Sequence, residues 1–207
     1  MPAILPFNER KAIEAAAYIS SLLKEGIQYK RLVLLLYLAD RRTLIIFGRP
    51  ITTASYIATE KGIELNNRIP VIEFKGMGNE AHLVQLDKEF IWEVAFTGLD
   101  REEALVGSME LSGAEGMILE EIVAEYGSLS FVELFSLVQK LPEMQKSGPI
   151  YYRDILKAAG KPEDAIAVIE EEMNHITYMD AIWKRLKKRQ KALCGRNEDD
   201  ASRNLLN

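Results

Sequence analysis

Glu171, Glu172 and His175 put two carboxylates and an imidazole within about one turn of a helix. Glu-x-x-His at that spacing holds iron in four-helix bundles, but such a centre needs a second motif and two further carboxylates. No second Glu-x-x-His occurs in the chain, so a helix-surface pair is expected. The other histidine, His82, lies in an alternating stretch. A general base needs a nucleophile and an orienting group, and the sequence places neither beside it. Cys194 has cations nearby that would lower its pKa, but it sits at an expected helix end with no histidine close in sequence. One cysteine and two distant histidines are too few ligands for zinc. Gly76-Met77-Gly78 reads as a hairpin turn, because neither a third glycine nor a helix start follows to cradle a phosphate. Glu102/Glu103 and Glu120/Glu121 are pairs of the kind common on helix surfaces. The expectation is no catalytic residue, no cofactor and no metal, hence no enzyme.

Charge is the other feature with chemical consequence. Lys184, Arg185, Lys187, Lys188, Arg189 and Lys191 place +6 in eight residues of a chain whose net charge is −5, leaving −11 on the rest. A mildly acidic chain is a poor default binder of phosphate backbones. Cations at a helix C-terminus also complement the macrodipole while staying solvated. Nucleic acid, with Trp183 stacking beside the basic run, is therefore the lesser reading.

The chain has 207 residues, 48% apolar and 28% charged, enough to bury a core. A single cysteine allows no internal disulfide. The longest apolar stretch, Leu32 to Ala39, is too short to span a bilayer, and the N-terminus lacks a signal-peptide pattern. A cytoplasmic protein without a membrane partner is expected.

Helical spacing predicts a first helix from an Asn8 cap to about Lys24, ended by Gly26. A second, from about Tyr29 to Phe47, is apolar almost all round and should lie at the centre, stopped by Gly48 and Pro50. Ile69 to Lys75 and His82 to Leu86 alternate and predict a small hairpin. Phe90, Ile91, Val94 and Ala95 suggest a short helix, and Leu99 to Ser108 a helical piece or loop. Ser112/Glu115 and Ser130/Glu133 are capping boxes opening helices to about Tyr126 and Gln139. Tyr151 to Ala159 is helical, and a long helix starts near Pro162 and ends near Leu193. The fold class is mainly α (α+β): a compact helical domain with a small antiparallel sheet or hairpin and a long C-terminal helix. The expected organisation is a domain over 1–160, a helical extension packed on it over 161–194, and a disordered tail over 195–207.

Lys30 to Arg42, with the core Leu36-Tyr37-Leu38-Ala39-Asp40-Arg41, followed by Phe47-Gly48-Arg49-Pro50-Ile51-Thr52 and Tyr56-Ile57-Ala58, resembles the signature of the Panacea domain. That signature reads Lys-Leu-Leu-Tyr-Phe-Ala-Asp-Arg, a spacer, Tyr-Gly-Arg-Pro-Ile-Thr-Gly, then Tyr-Val-Ala. A second block is similar over Leu111-Ser112, Tyr126-Gly127-Ser128-Leu129-Ser130, Glu133-Leu134 and Ile155 to Gly160. The resemblance covers about residues 8–160. The chain departs from it at Gly62-Ile63-Glu64, where the family has Gly-Pro-Val, and at Leu137-Val138-Gln139 and Pro142-Glu143-Met144-Gln145, where it has Leu-Thr-His and Pro-Trp-Lys. It reads as a divergent member. The resemblance implies an antitoxin that binds a cognate toxin protein, or, as in the SocA branch, an adaptor that delivers the toxin to a protease.

Asp40 is expected to accept hydrogen bonds from Arg49 or from the turn Arg49-Pro50-Ile51-Thr52, since a partly buried carboxylate needs partners. Interfaces draw energy from aromatic and arginine anchors. The partner-binding candidates are accordingly Arg41, Arg42, Arg49, Thr52, Tyr56 and Lys61. A homodimer is left open. Toxin binding competes with two other classes, an enzyme acting on a small molecule and a nucleic-acid-binding regulator using residues 184–191.

Overall fold

Asn8 accepts the Lys11 N–H on its side chain at 3.1 Å, so the first helix begins where the cap residue predicts. The structure, a computed structural model, describes residues 3–23, 27–66, 82–85, 91–95 and 110–204. Helix α1 spans Glu9–Leu23, a two-residue strand β1 Ile27–Gln28, and α2 Tyr29–Phe47. Strands β2 (Tyr56–Thr59), β3 (Gly62–Leu65), β4 (His82–Gln85) and β5 (Ile91–Ala95) follow. Then come α3 (Gly113–Tyr126), α4 (Phe131–Gln139), a 3-10 turn over Pro142–Met144, β6 (Gly148–Ile150), α5 (Tyr152–Ala158) and α6 (Glu163–Asn204). The mainly helical class with small antiparallel sheets and a long last helix is as the sequence predicts.

Helix α2 is the centre. Every residue from Leu32 to Asp40 is buried, and burying one such aliphatic side chain is worth about 1.5–3 kcal/mol. Helix α1 presents Ala12, Ala15 and Ala16 to the same core; side chains this small allow its backbone to approach closely. Leu119 and Ile122 of α3, Leu134 and Val138 of α4, Leu156 of α5, and Ile166 and Met173 of α6 complete the cluster. Gly48 caps α2 with φ 74°, its N–H donating to the Leu44 carbonyl at 3.0 Å. A Cβ there would lie 3.3 Å from Ile169, so glycine serves both the left-handed turn and the approach of α6.

Two three-stranded antiparallel sheets flank this bundle, in the orders β1-β5-β4 and β3-β2-β6. Ile91–Ala95 is therefore a strand, paired with His82–Gln85 and through Trp92 with Ile27, where the sequence suggested a short helix. A four- or five-residue apolar run fits both periods, and pairing with Ile27, more than 60 positions away, decides the matter. The other half of the predicted hairpin, 69–75, and the segment 99–108 lie outside the described residues. Helix α6 continues past Leu193, through most of the segment 195–207 expected to be disordered.

Both capping boxes are formed. The Ser112 hydroxyl accepts the Glu115 N–H and the Glu115 carboxylate accepts the Ser112 N–H, at 3.4 and 2.9 Å. Burial pushes the Glu115 carboxyl up, but the Lys11 ammonium at 2.7 Å and the Ser112 donors outweigh it and hold it below the usual range. Ser112→Ala is expected to lower stability by about 1 kcal/mol, read from a urea midpoint, because it removes the acceptor for a helix-end N–H.

Candidate protein-docking site

Asp40 is about two turns from the end of α2 and is buried, at 3% exposure. Its Oδ1 accepts the Thr52 N–H at 2.8 Å, and its Oδ2 accepts the Thr52 hydroxyl and, at 2.6 Å, the Tyr56 hydroxyl. The Ile51 N–H also donates to it. The turn after α2 is thus sewn to the helix by a carboxylate, as expected, but backbone and hydroxyl groups do this and the Arg49 guanidinium does not. Thr52 and Tyr56, two of the partner-binding candidates, are buried at 1% and 5%. They point into the core and offer no surface to a partner; Tyr56 instead packs edge-on against Tyr37, centroids 5.1 Å apart.

Arg41 and Arg42 diverge from the same turn of α2. The Arg41 Nε donates to Glu143 Oε1 at 2.5 Å, and the Tyr37 hydroxyl donates to the same oxygen at 2.8 Å. The Glu143 side chain is wholly covered and that of Arg41 is 20% exposed. The other Glu143 oxygen, Oε2, is buried and has no hydrogen-bond partner among the described residues. Burial, followed by the neighbouring carboxylate, pushes the Tyr37 phenol far above its ordinary range, so it acts only as a neutral donor.

Arg42 turns toward α3. It donates to Glu125 at 2.5 Å, lies 3.6 Å from Glu121, and sits over the Tyr126 ring at 6.0 Å. The guanidinium holds the Glu125 carboxyl below the usual range. Between α2 and α3 runs a groove of about 390 Å³. Leu38, Ile45, Ile46 and Ile122 supply its apolar lining, and Arg41, Arg42, Glu121 and Tyr126 its polar part. Ile46 and Phe47 at the end of α2 are 55% and 50% exposed.

Of the remaining candidates, Arg49 and Lys61 are exposed. Lys61 occupies the turn between β2 and β3, and neither makes an ion pair among the described residues. The structure therefore brings Arg41 and Arg42 to one groove and leaves Arg49 and Lys61 outside its lining. The sequence reading missed Ile45, Ile46, Glu121, Ile122, Tyr126 and Glu143. Leu38, Arg41, Arg42, Ile45 and Ile46 share one helical face at spacings of three and four, a signal that was available. The α3 half and Glu143 had no local signal.

His175, Glu171 and Glu172 are exposed on α6. Among the described residues no group of three histidine, cysteine, aspartate or glutamate side chains is placed to hold a metal, and no helix is long and apolar enough to cross a membrane. The side chains of His82 and Cys194, and Gly76-Met77-Gly78, lie outside the described residues.

The family model described as antitoxin SocA-like, Panacea domain, matches residues 32–144. That span holds α2 from Leu32 onward, the Asp40 turn, α3 and Glu143, and so every residue of the groove. No curated protein and no solved structure is significantly similar to the chain.

Proposed function

Given that this chain belongs to the SocA-like antitoxins of the Panacea domain family, we propose that it neutralises a cognate toxin by direct protein–protein binding, with the α2–α3 groove as the docking face. The observation that carries this reading is the groove itself, with exposed Ile46 and Phe47 beside an arginine–tyrosine–carboxylate rim inside the matched block. Large apolar side chains left in water next to Arg and Tyr are the composition from which interface hot spots are built. An incoming apolar side chain can fill the floor over Leu38 and Ile122. An incoming carboxylate can compete for Arg42, whose present partners Glu121 and Glu125 are themselves half in solvent. Such exchange favours recognition without a chemical step, and no enzymatic turnover is invoked.

The test is co-expression with the protein encoded beside it. The wild type restores growth and co-purifies with that protein. Ile46→Asp, which places a charge on an exposed position and leaves the core alone, weakens the complex by roughly 100-fold, the scale of a lost hot spot of 2 kcal/mol or more. Rescue with no detectable complex, and with undiminished toxin levels, rules out neutralisation by binding. Rescue in which the toxin disappears instead identifies delivery to a protease. An Ile46→Asp complex as tight as the wild type's moves the docking face elsewhere.

A further inference from the structure

We propose that α6 pairs with the α6 of a second copy of this chain as an antiparallel two-helix coiled coil centred near Ala181.

The helix has 42 residues, a length of roughly 63 Å at 1.5 Å per residue. Among the described residues only its first part is anchored: Ile166 and Met173 are buried in the core, and the Thr177 hydroxyl donates to the Ile4 carbonyl at 3.0 Å. Beyond Thr177 none of the described side chains is buried. Yet Ile176, Met179, Trp183 and Leu186 are 43%, 37%, 59% and 51% exposed, in steps of three, four and three. That is the a/d spacing of a coiled-coil seam, and it lies beside the face that meets the body. A bare helix stabilised by nothing but its own hydrogen bonds is marginal in water, so a seam of this kind calls for a partner helix.

Charge selects which helix. From Glu163 to Ile182 the helix has six acidic residues and no Lys or Arg; from Trp183 to Leu193 it has six basic residues and no Asp or Glu. Arg153 engages Glu163 and Glu170 within the chain, while Glu171 and Glu172 stand exposed. A parallel pair would stack six cations on six cations. An antiparallel pair centred at 181 lays the basic run 184–191 of each helix along 171–178 of the other, which carries Glu171 and Glu172 and no Lys or Arg, and opposes the two macrodipoles. The seam supports the same symmetry. With the two-fold axis at position 181, Met179 of one copy meets Trp183 of the other, and Ile176 meets Leu186. The change of charge sign falls at the same place. A second copy thus complements this surface in both its apolar spacing and its charge.

Light scattering on the full chain at tens of micromolar is expected to give twice the 23.4 kDa chain mass. Met179→Glu/Trp183→Glu is expected to run as a monomer with its core melting transition retained, since both positions lie outside the core. Orientation is read in a Cys194→Ser background. Ile176→Cys and Leu186→Cys chains, oxidised separately, should stay uncrosslinked, and mixed they should form the heterodisulfide. A monomeric wild type overturns the proposal, including one that binds duplex DNA through Lys184 to Arg189. Self-crosslinking of either single-cysteine chain overturns the antiparallel arrangement.

Discussion

Asp40→Ala is expected to cost roughly 3–5 kcal/mol of folding free energy, a large part of the stability of a domain this size. The substitution removes one carboxylate and strands four donors. The Thr52 N–H, the Thr52 and Tyr56 hydroxyls and the Ile51 N–H all lose their acceptor in a site closed to water. A buried donor without a partner carries its full desolvation penalty, about 1–3 kcal/mol each, moderated where a hydroxyl can rotate to another acceptor. Asp40→Asn keeps one oxygen and the same shape. Its cost is expected to be near 1–2 kcal/mol, because the hydroxyls can turn round and accept from the amide. Urea midpoints of the two variants separate loss of the acceptor from loss of charge; equal midpoints would mean that the network contributes only through its ionised form.

The same pair has a pH signature. Burial pushes the Asp40 carboxyl up, and donation from Thr52 and Tyr56 pulls it only part of the way back. A carboxyl raised in the folded state favours folding while protonated. Its contribution is fully present below the unfolded value near 3.8 and is lost as pH climbs through the folded value. The stability advantage of the wild type over Asp40→Asn should therefore narrow as pH rises above 3.8. A widening difference would show that the hydrogen bonds outweigh burial.

Arg41→Ala should be about as damaging, near 3–5 kcal/mol, because it leaves the Glu143 carboxylate covered and without a cation. Among the described residues only the Tyr37 hydroxyl would remain, and Glu143 Oε2 already has no partner there. The pair need not be strongly stabilising for this to hold. Removing one member of a buried pair is costly, whereas replacing both by apolar residues of similar volume is often neutral. Arg41→Met/Glu143→Leu is accordingly expected to recover most of the loss, with a coupling of roughly 2–3 kcal/mol in a double-mutant cycle. Additive effects would place the two side chains apart in solution. The double variant also removes the Arg41 charge from the groove while preserving the fold, so its affinity for the proposed partner separates a docking role of Arg41 from a folding one.

These two clusters show why the candidate site was only partly legible. Asp40 could be assigned a fold-fixing role because its partners, Ile51, Thr52 and Tyr56, lie within 16 positions along the chain. Thr52 and Tyr56 fall among the partner-binding candidates because a nonhelical connection that mixes aromatics and cations has the composition of a recognition loop. Their orientation depends on where the Asp40 carboxylate sits, and it draws both inward. Glu143, in the place of the aromatic that the related signature carries, gave no indication that it would close on Arg41 from 102 positions away.

What the residues determined unaided is local in origin. The limits of α2, the left-handed Gly48 cap and both capping boxes depend on contacts within a few positions, where side-chain type and backbone geometry act directly. The charge reversal and apolar seam of α6 are likewise written in residue order. Tertiary structure alone decided that Ile91–Ala95 is a strand, that Thr52 and Tyr56 are buried, and that α2 and α3 leave a groove between Arg41 and Tyr126. Each of these depends on which distant surfaces come to share one core, and a short segment carries too little energy of its own to make that choice.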